Sequence, residues 1–197
     1  MKKFLPWIII AIIAIGLYSW GKGFNNTAVA MNEDVKEAWG NVQTSYQRRH
    51  DLIGNLVETV KGAADFEKST LEAVIKARSQ ATQTTIDPTN VTPEQLQKFN
   101  DVQGGLNSAL SRLLVTIERY PDLKANQNFL KLQDELVSTE NTIQTARTRY
   151  NEAIRPYNEH VKSFPNVLLS GILNFDEKPY FDSVTGADKP VEVDFSN

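Results

Sequence analysis

The sequence predicts an all-α protein: an N-terminal transmembrane helix followed by an antiparallel bundle of three to four long helices. Three observations predict it. Residues 4–20, FLPWIIIAIIAIGLYSW, carry no charge. Apolar residues then recur at alternating steps of three and four through three long segments, the spacing of a helix face that packs on other helices. No stretch shows the period-two alternation of a half-buried strand.

The first element is the anchor, residues 1–22. At about 1.5 Å per residue, positions 4–20 span roughly 25 Å, near the lower limit for a bilayer core of about 30 Å. Trp7, Tyr18 and Trp20 sit near its two ends, where amphipathic rings prefer the membrane interface. Ala28-Val29-Ala30 resembles a signal-peptide cleavage site, but the apolar run is longer than an ordinary signal core and the site lies well past its end. An uncleaved span is the expectation. Lys2, Lys3 and the terminal amine lie on the short side and Lys22 on the other, which favours the bundle on the extracytoplasmic side, the periplasm of a diderm bacterium. The bias is a few charges only and leaves the cytoplasmic side open.

The bundle follows over residues 23–181. From about residue 28 to 84, Val35, Trp39, Val42, Tyr46, Ile53, Leu56, Val60 and Ala63 form a seam, with Arg49 filling its one gap. Leu71, Val74, Ala77 and Ala81 continue the stripe. If this helix is unbroken, only its later half pairs with the next one, and Arg48–Asn55 lies in a stalk above the membrane. If it breaks at Gly54 or Gly62, a four-helix bundle results. Residues 82–91, TQTTIDPTNV, read as a loop. Thr92, Pro93 and Gln95 then announce a helix through an N-cap, a first-turn proline and a capping box. Its seam runs from Leu96 and Phe99 to Ile117 and Tyr120 with Gln103 in the gap, and Pro121-Asp122 ends it.

The third long helix is expected from about Asn126 to Phe164, with Phe129, Leu136, Ile143, Tyr150, Ile154, Tyr157, Val161 and Phe164 in its seam. Glu140-Asn141 interrupts that seam. Pro156 should kink the helix or end its regular part. VLLSGIL, 167–173, is too short to cross a bilayer and would cover one end of the bundle. Residues 182–197 are polar and poor in helix formers and form an expected flexible C-terminal tail.

Composition excludes several chemistries. The chain has no cysteine, so disulfides, thiolate metal sites and cysteine nucleophiles are ruled out. Setting aside Lys2, Lys3 and Lys22 leaves 18 basic residues against 24 acidic ones, a net of −6 for the remainder. That balance argues against nucleic acid as a partner. No nucleophile elbow, phosphate-binding loop, zincin helix or EF-hand loop occurs, and Glu159-His160 lacks a second metal ligand at helical spacing. No cofactor, metal or small-molecule substrate is indicated.

One stretch concentrates polar chemistry: RRHDLIGNLVETVKG, Arg48 to Gly62. On a helix, Arg49 belongs to the seam, while Arg48, Asp51, Asn55 and Glu58 share a second stripe. His50 and Asp51 diverge by about 100° and cannot form a dyad on one face. Arg48 and Asp51 have the spacing of an i,i+3 pair. A stripe of charges opposite an apolar seam is ordinarily a solvated face, but aspartate and asparagine are poor helix formers, which raises a packed polar layer or a partner-binding face as the second reading. Glu140 and Asn141 could face Arg49 or Arg112 in such a layer. The candidate interaction set is therefore Arg48, Arg49, Asp51, Asn55, Glu58, Glu140 and Asn141, with no catalytic, cofactor or metal residues.

The run SYQRRHDLIGNLVETVKG, with STLEAVIKAR, LSRLLVTIERYPDLKANQNFLKLQDELVSTENTIQTAR, RYNEAI and the late KPYF, resembles the LemA family over nearly the whole chain. The resemblance implies a bacterial, membrane-anchored four-helix bundle with no assigned enzymatic activity or cofactor, linked to the cell envelope and membrane organisation. Arg48, Arg49, Asp51, Asn55 and Glu58 fall in the family's first motif, and Tyr120, Pro121, Asp122, Asn126, Glu140 and Asn141 in its second. Gly54 stands where the family commonly has proline, Ala63 where it usually has tyrosine, and Pro156 is a departure.

These readings point to a non-enzymatic, membrane-anchored interaction or scaffolding module that touches the bilayer through residues 4–20 and associates with itself or with other envelope proteins. An adaptor for a membrane protease or envelope-stress machinery is the alternative. A hydrolase using His50, Asp51 and Glu58 is the reading that helix geometry favours least.

Overall fold

The structure is a computed structural model that describes residues 4–62, 66–89 and 91–181. Helix α1, Leu5–Lys61, is a single 57-residue element. Its first turns are exposed and apolar, from Phe4 to Tyr18, and it is the one helix among the described residues long and apolar enough to cross a membrane. The same helix continues without interruption into the bundle, where Val35, Trp39, Val42, Ile53, Leu56 and Val60 are fully buried.

The break falls at Gly62, which caps α1, and α2 runs back over Lys68–Gln83. The long 28–84 pattern is thus two antiparallel helices, and Arg48–Asn55 belongs to the bundle instead of a stalk. Ala63 lies outside the described residues. Gly54 does not break the helix. Its missing Cβ makes room for Arg78 of α2: a Cβ there would meet the Arg78 guanidinium at 3.0–3.4 Å. Arg78 Nε donates to the His50 carbonyl at 2.7 Å.

Helix α3, Pro93–Ile117, begins with the expected capping box between Thr92 and Gln95. It stops one turn earlier than Pro121 suggested, because Pro121–Lys124 forms its own short helix, α4, after a turn at Glu118–Tyr120. Helix α5, Gln127–Lys162, starts on an Asn126 N-cap and continues past Pro156, so of the two expected effects, a kink or an end to the regular part, the helix does not end there. Pro156 and Glu152, whose carbonyl loses its donor, both lie on the exposed side where water can replace the bond. Helix α6, Val167–Leu173, closes the membrane-proximal end. Phe164, expected in the α5 seam, is outside that helix and 82% exposed.

α1, α2, α3 and α5 form an up-down-up-down four-helix bundle in which α1 packs along α5 and α2 along α3. After α6 the chain turns at Asn174, which takes the left-handed conformation (φ 57°). It then runs extended and antiparallel to α5. Asn158 clamps the Lys178 backbone with two bonds of 2.9 Å. Asn151 clamps Phe181 with bonds of 2.9 and 2.8 Å. Seven helical residues and three extended ones both cover about 10 Å, so the two asparagines match the spacing of the two clamped residues. Phe181 is thereby stacked on Trp39 at 5.7 Å and set edge-on to Tyr150 at 5.4 Å. The expected tail, 182–197, lies outside the described residues.

Candidate functional site

The apolar core is in two pieces. The membrane-proximal cluster gathers Phe24 to Tyr46 of α1, Ile86 to Phe99, and Ile143 to Val161 of α5 with Phe181. The distal cluster gathers Leu52 to Val60, Leu71 to Ala81, Leu106 to Ile117, and Leu123 to Leu136. Between them lies a polar layer.

Its centre is Arg49, 3% exposed. Arg49 Nη2 donates to Gln103 Oε1 of α3. Nη1 donates to Asn107 Oδ1 at 3.0 Å and to Glu140 Oε2 of α5 at 3.3 Å. The guanidinium also lies over the Tyr46 ring, 4.8 Å from its centroid. Gln103 Oε1 takes a second donor, His50 Nε2, at 3.4 Å. Two converging donors fix the amide orientation, because the flipped amide would set N–H against N–H. They also fix the proton of a neutral His50 on Nε2. The Arg78 bond to the His50 carbonyl brings α2 to the same level. Each bundle helix therefore contributes, and the residues that interrupt the three seams, Arg49, Gln103 and Glu140, are the ones that meet.

Burial sets the electrostatics. It pushes the Arg49 guanidinium down from its ordinary value, opposed by Tyr46 and Glu140, and pushes the Tyr46 phenol up. It also pushes the His50 imidazole down. The bond to Gln103 opposes that, and the charges of Arg49 and Arg78 reinforce it. Buried polar layers of this kind hold helix register, often at some cost in stability. Between α3 and α5 the layer opens into a groove of about 1030 Å³ lined by Arg49, Gln103, Asn107, Glu140, Gln144 and Arg147 among others.

The remaining candidates are placed differently. Arg48, Asp51, Asn55 and Glu58 are exposed on α1, and Asn141 is exposed on α5. Asp51 accepts from Gln47 at 2.9 Å, and no ion pair joins it to Arg48 among the described residues. Glu58 pairs with Lys61 at 2.7 Å. Arg112 is exposed on α3 and does not join Glu140. His50 is buried with Nε2 committed to Gln103, while Asp51 faces solvent, so the two do not form a catalytic pair. Among the described residues no group of three His, Asp or Glu side chains has metal-binding geometry.

Sequence reasoning missed His50, Gln103, Asn107 and Arg78 as members of the layer, and Asn151 and Asn158 as clamps. Gln103 carried a usable signal, since it fills the α3 gap as Arg49 fills that of α1. The seven-residue spacing of two asparagines on α5 was another.

Comparison with known proteins gives a consistent picture. The family model described as the LemA family matches residues 38–195. The chain is 28% identical over 200 residues to "Magnetosome protein MamQ 2" of Paramagnetospirillum magneticum, covering 93% of this chain and 72% of that protein. It is 26% identical to "Magnetosome protein MamQ" of Magnetospirillum gryphiswaldense, over 84% of this chain and 67% of that one. It is 25% identical to "Protein LemA" of Metamycoplasma hominis, over 83% and 71%.

Proposed function

Starting from the fact that this chain belongs to the LemA family, we propose that it is a non-catalytic interaction module that holds a binding face at a fixed height above a bacterial cell membrane. The observation that carries this reading is the continuity of α1. One unbroken helix contains both the apolar span and the polar stripe. Asp51 stands 31 residues beyond Trp20, roughly 45 Å along the helix axis. The buried layer takes up Arg49 and His50 and leaves Arg48, Asp51 and Asn55 facing outward. Neither Asp51 nor Asn55 packs in the core, and both are residue types that weaken a helix. A partner gripping them would explain their presence.

The partner on this reading is a second copy or another envelope protein, and the bundle stands on the extracytoplasmic side. The test is chemical crosslinking in cells of the full chain carrying Asp51→Ala and Asn55→Ala. Helicity should be unchanged and the crosslinked complex lost; an unchanged complex contradicts the proposal. Sidedness is read separately. The chain has no cysteine, so Thr85→Cys gives one reporter thiol in the exposed α2–α3 loop. A membrane-impermeant maleimide should label it before the inner membrane is lysed.

A further inference from the structure

Around α6, apolar side chains stand exposed among the described residues. Leu169 packs against the proximal core and Ser170 is buried, so one side of α6 faces inward. The other side carries Leu168 and Ile172, 58% and 74% exposed, and Phe164 precedes them at the same four-residue spacing, 82% exposed. Val167 and Leu173 flank them, both exposed.

The height of this patch is fixed by contacts to α1. Trp20, the last residue of the apolar run, donates its indole N–H to Asn166 Oδ1 at 3.2 Å, immediately before α6. His160 stacks on Phe24 at 5.0 Å, and Phe175, just after α6, meets the same ring edge-on at 5.7 Å. Positions 20 and 24 are about one helical turn apart, roughly 6 Å. Both ends of α6 are therefore tied to α1 within about a turn of the point where its apolar surface ends. A helix lying in a membrane interface buries its apolar face by about 5–10 Å, so with α1 crossing a bilayer over residues 4–20 this patch would stand at the depth where lipid begins.

We propose that Phe164–Leu173 is a second membrane contact, in which α6 lies in the bilayer surface beside the exit of α1 and seats the bundle on it. The occupant of the patch is lipid, because the Trp20–Asn166 bond sets the patch at the level where the exposed apolar run of α1, Phe4 to Tyr18, ends. Among the described residues, α1 is otherwise the one element that would join the bundle to the membrane. The inference rests on α1 crossing the bilayer.

The experiment uses the full chain in phosphatidylethanolamine–phosphatidylglycerol vesicles, with single cysteines Leu168→Cys and Ile172→Cys carrying an environment-sensitive fluorophore. Gln47→Cys is the water-exposed control and Ile12→Cys the control within the span. Labels at 168 and 172 should show blue-shifted emission that is quenched when the lipids carry bromine along their acyl chains, as the label at 12 is, while the label at 47 shows neither. Emission at 168 and 172 matching that at 47, with 12 quenched, overturns the proposal and leaves the span intact. If 12 is also unquenched, the span itself is refuted and the proposal falls with it. Blue-shifted emission that ignores bromine and grows with protein density assigns the patch to a second copy and equally overturns the proposal. Each labelled chain is accepted only with the parent's helical circular dichroism, and Val167→Cys replaces a label that disturbs it.

Discussion

The guanidinium of Arg49 and the side-chain carbonyl of Gln103 are hydrogen-bonded across the middle of the bundle, and each is the residue that breaks its own helix's apolar seam. Two gaps in two helices are filled by one bond. Glu140, the interruption of the α5 seam, closes the layer on Arg49 at 3.3 Å. Removing a partner from such a layer strands the others. Arg49→Ala should destabilise the full chain in detergent micelles by about 3 kcal/mol, through a lost buried pair and a cavity. Glu140→Gln should cost only about 1 kcal/mol, because the Glu140 side chain is 43% exposed and its attraction to Arg49 is screened. Replacing the two jointly, Arg49→Met with Gln103→Leu, should recover only part of the Arg49→Ala loss, since the His50 Nε2–H is left without its acceptor. Thermal melts followed by circular dichroism check the order, and a joint variant less stable than Arg49→Ala contradicts it.

Gly54 and Arg78 form a second coupled pair. A glycine in a helix interior usually gains about 1 kcal/mol on changing to alanine. Here the new Cβ would sit 3.0 Å from Arg78 Nη2, the far end of a side chain held by its bond to the His50 carbonyl. Gly54→Ala should therefore be nearly neutral in the parent chain and stabilising by about 1 kcal/mol in an Arg78→Ala background. Equal effects in the two backgrounds would show that Arg78 does not use the space.

The extended segment that places Lys178 and Phe181 beside α5 is part of the core. Phe181 is 3% exposed and stacked on Trp39. Phe181→Ala should cost about 3–5 kcal/mol, the range for a fully buried phenylalanine. Asn151→Ala and Asn158→Ala each remove two bonds to the extended backbone. They should speed amide hydrogen exchange at Phe181 and Lys178 respectively while leaving α5 protected. Unchanged exchange at those two amides would rule out the clamp.

Two pH responses follow from burial. The folded state disfavours protonated His50, so its favourable contribution is complete above the unfolded histidine value of about 6.5 and declines as pH falls below it. Stability should drop as pH falls below about 6.5, and His50→Gln should flatten that drop. Tyr150 and Tyr157 are shifted the other way by burial, Tyr157 up to about 12. Stability is therefore full below the ordinary tyrosine value of about 10 and is lost above it. Phenolate absorbance from these rings should appear together with unfolding. Its appearance at pH 10 in a fully helical chain would contradict their burial.

Much of this architecture was legible in the sequence because helix packing writes itself as periodicity. The span, the Thr92 capping box and the seams of α1, α3 and α5 all follow from local rules. The choice between Gly54 and Gly62 did not, because both lack a side chain and only Gly54 has a partner that fills the space. Whether Pro156 would end α5 was not legible, because that depends on whether the freed carbonyl faces water. The stripe of Arg48, Asp51, Asn55 and Glu58 was readable as a face. The layer's full membership was not, since Asn107, Arg78 and Gln103 are brought to Arg49 and His50 only by the bundle's register.

The central claim is that α1 offers its outward stripe to another protein. Site-specific photocrosslinking in cells tests it most directly, with a photoreactive residue in place of Asp51, Asn55 or, as a control on the exposed face of α5, Asp134. The account predicts a discrete adduct from positions 51 and 55 and none from 134. No adduct from either α1 position, or the same smear from all three, would contradict it.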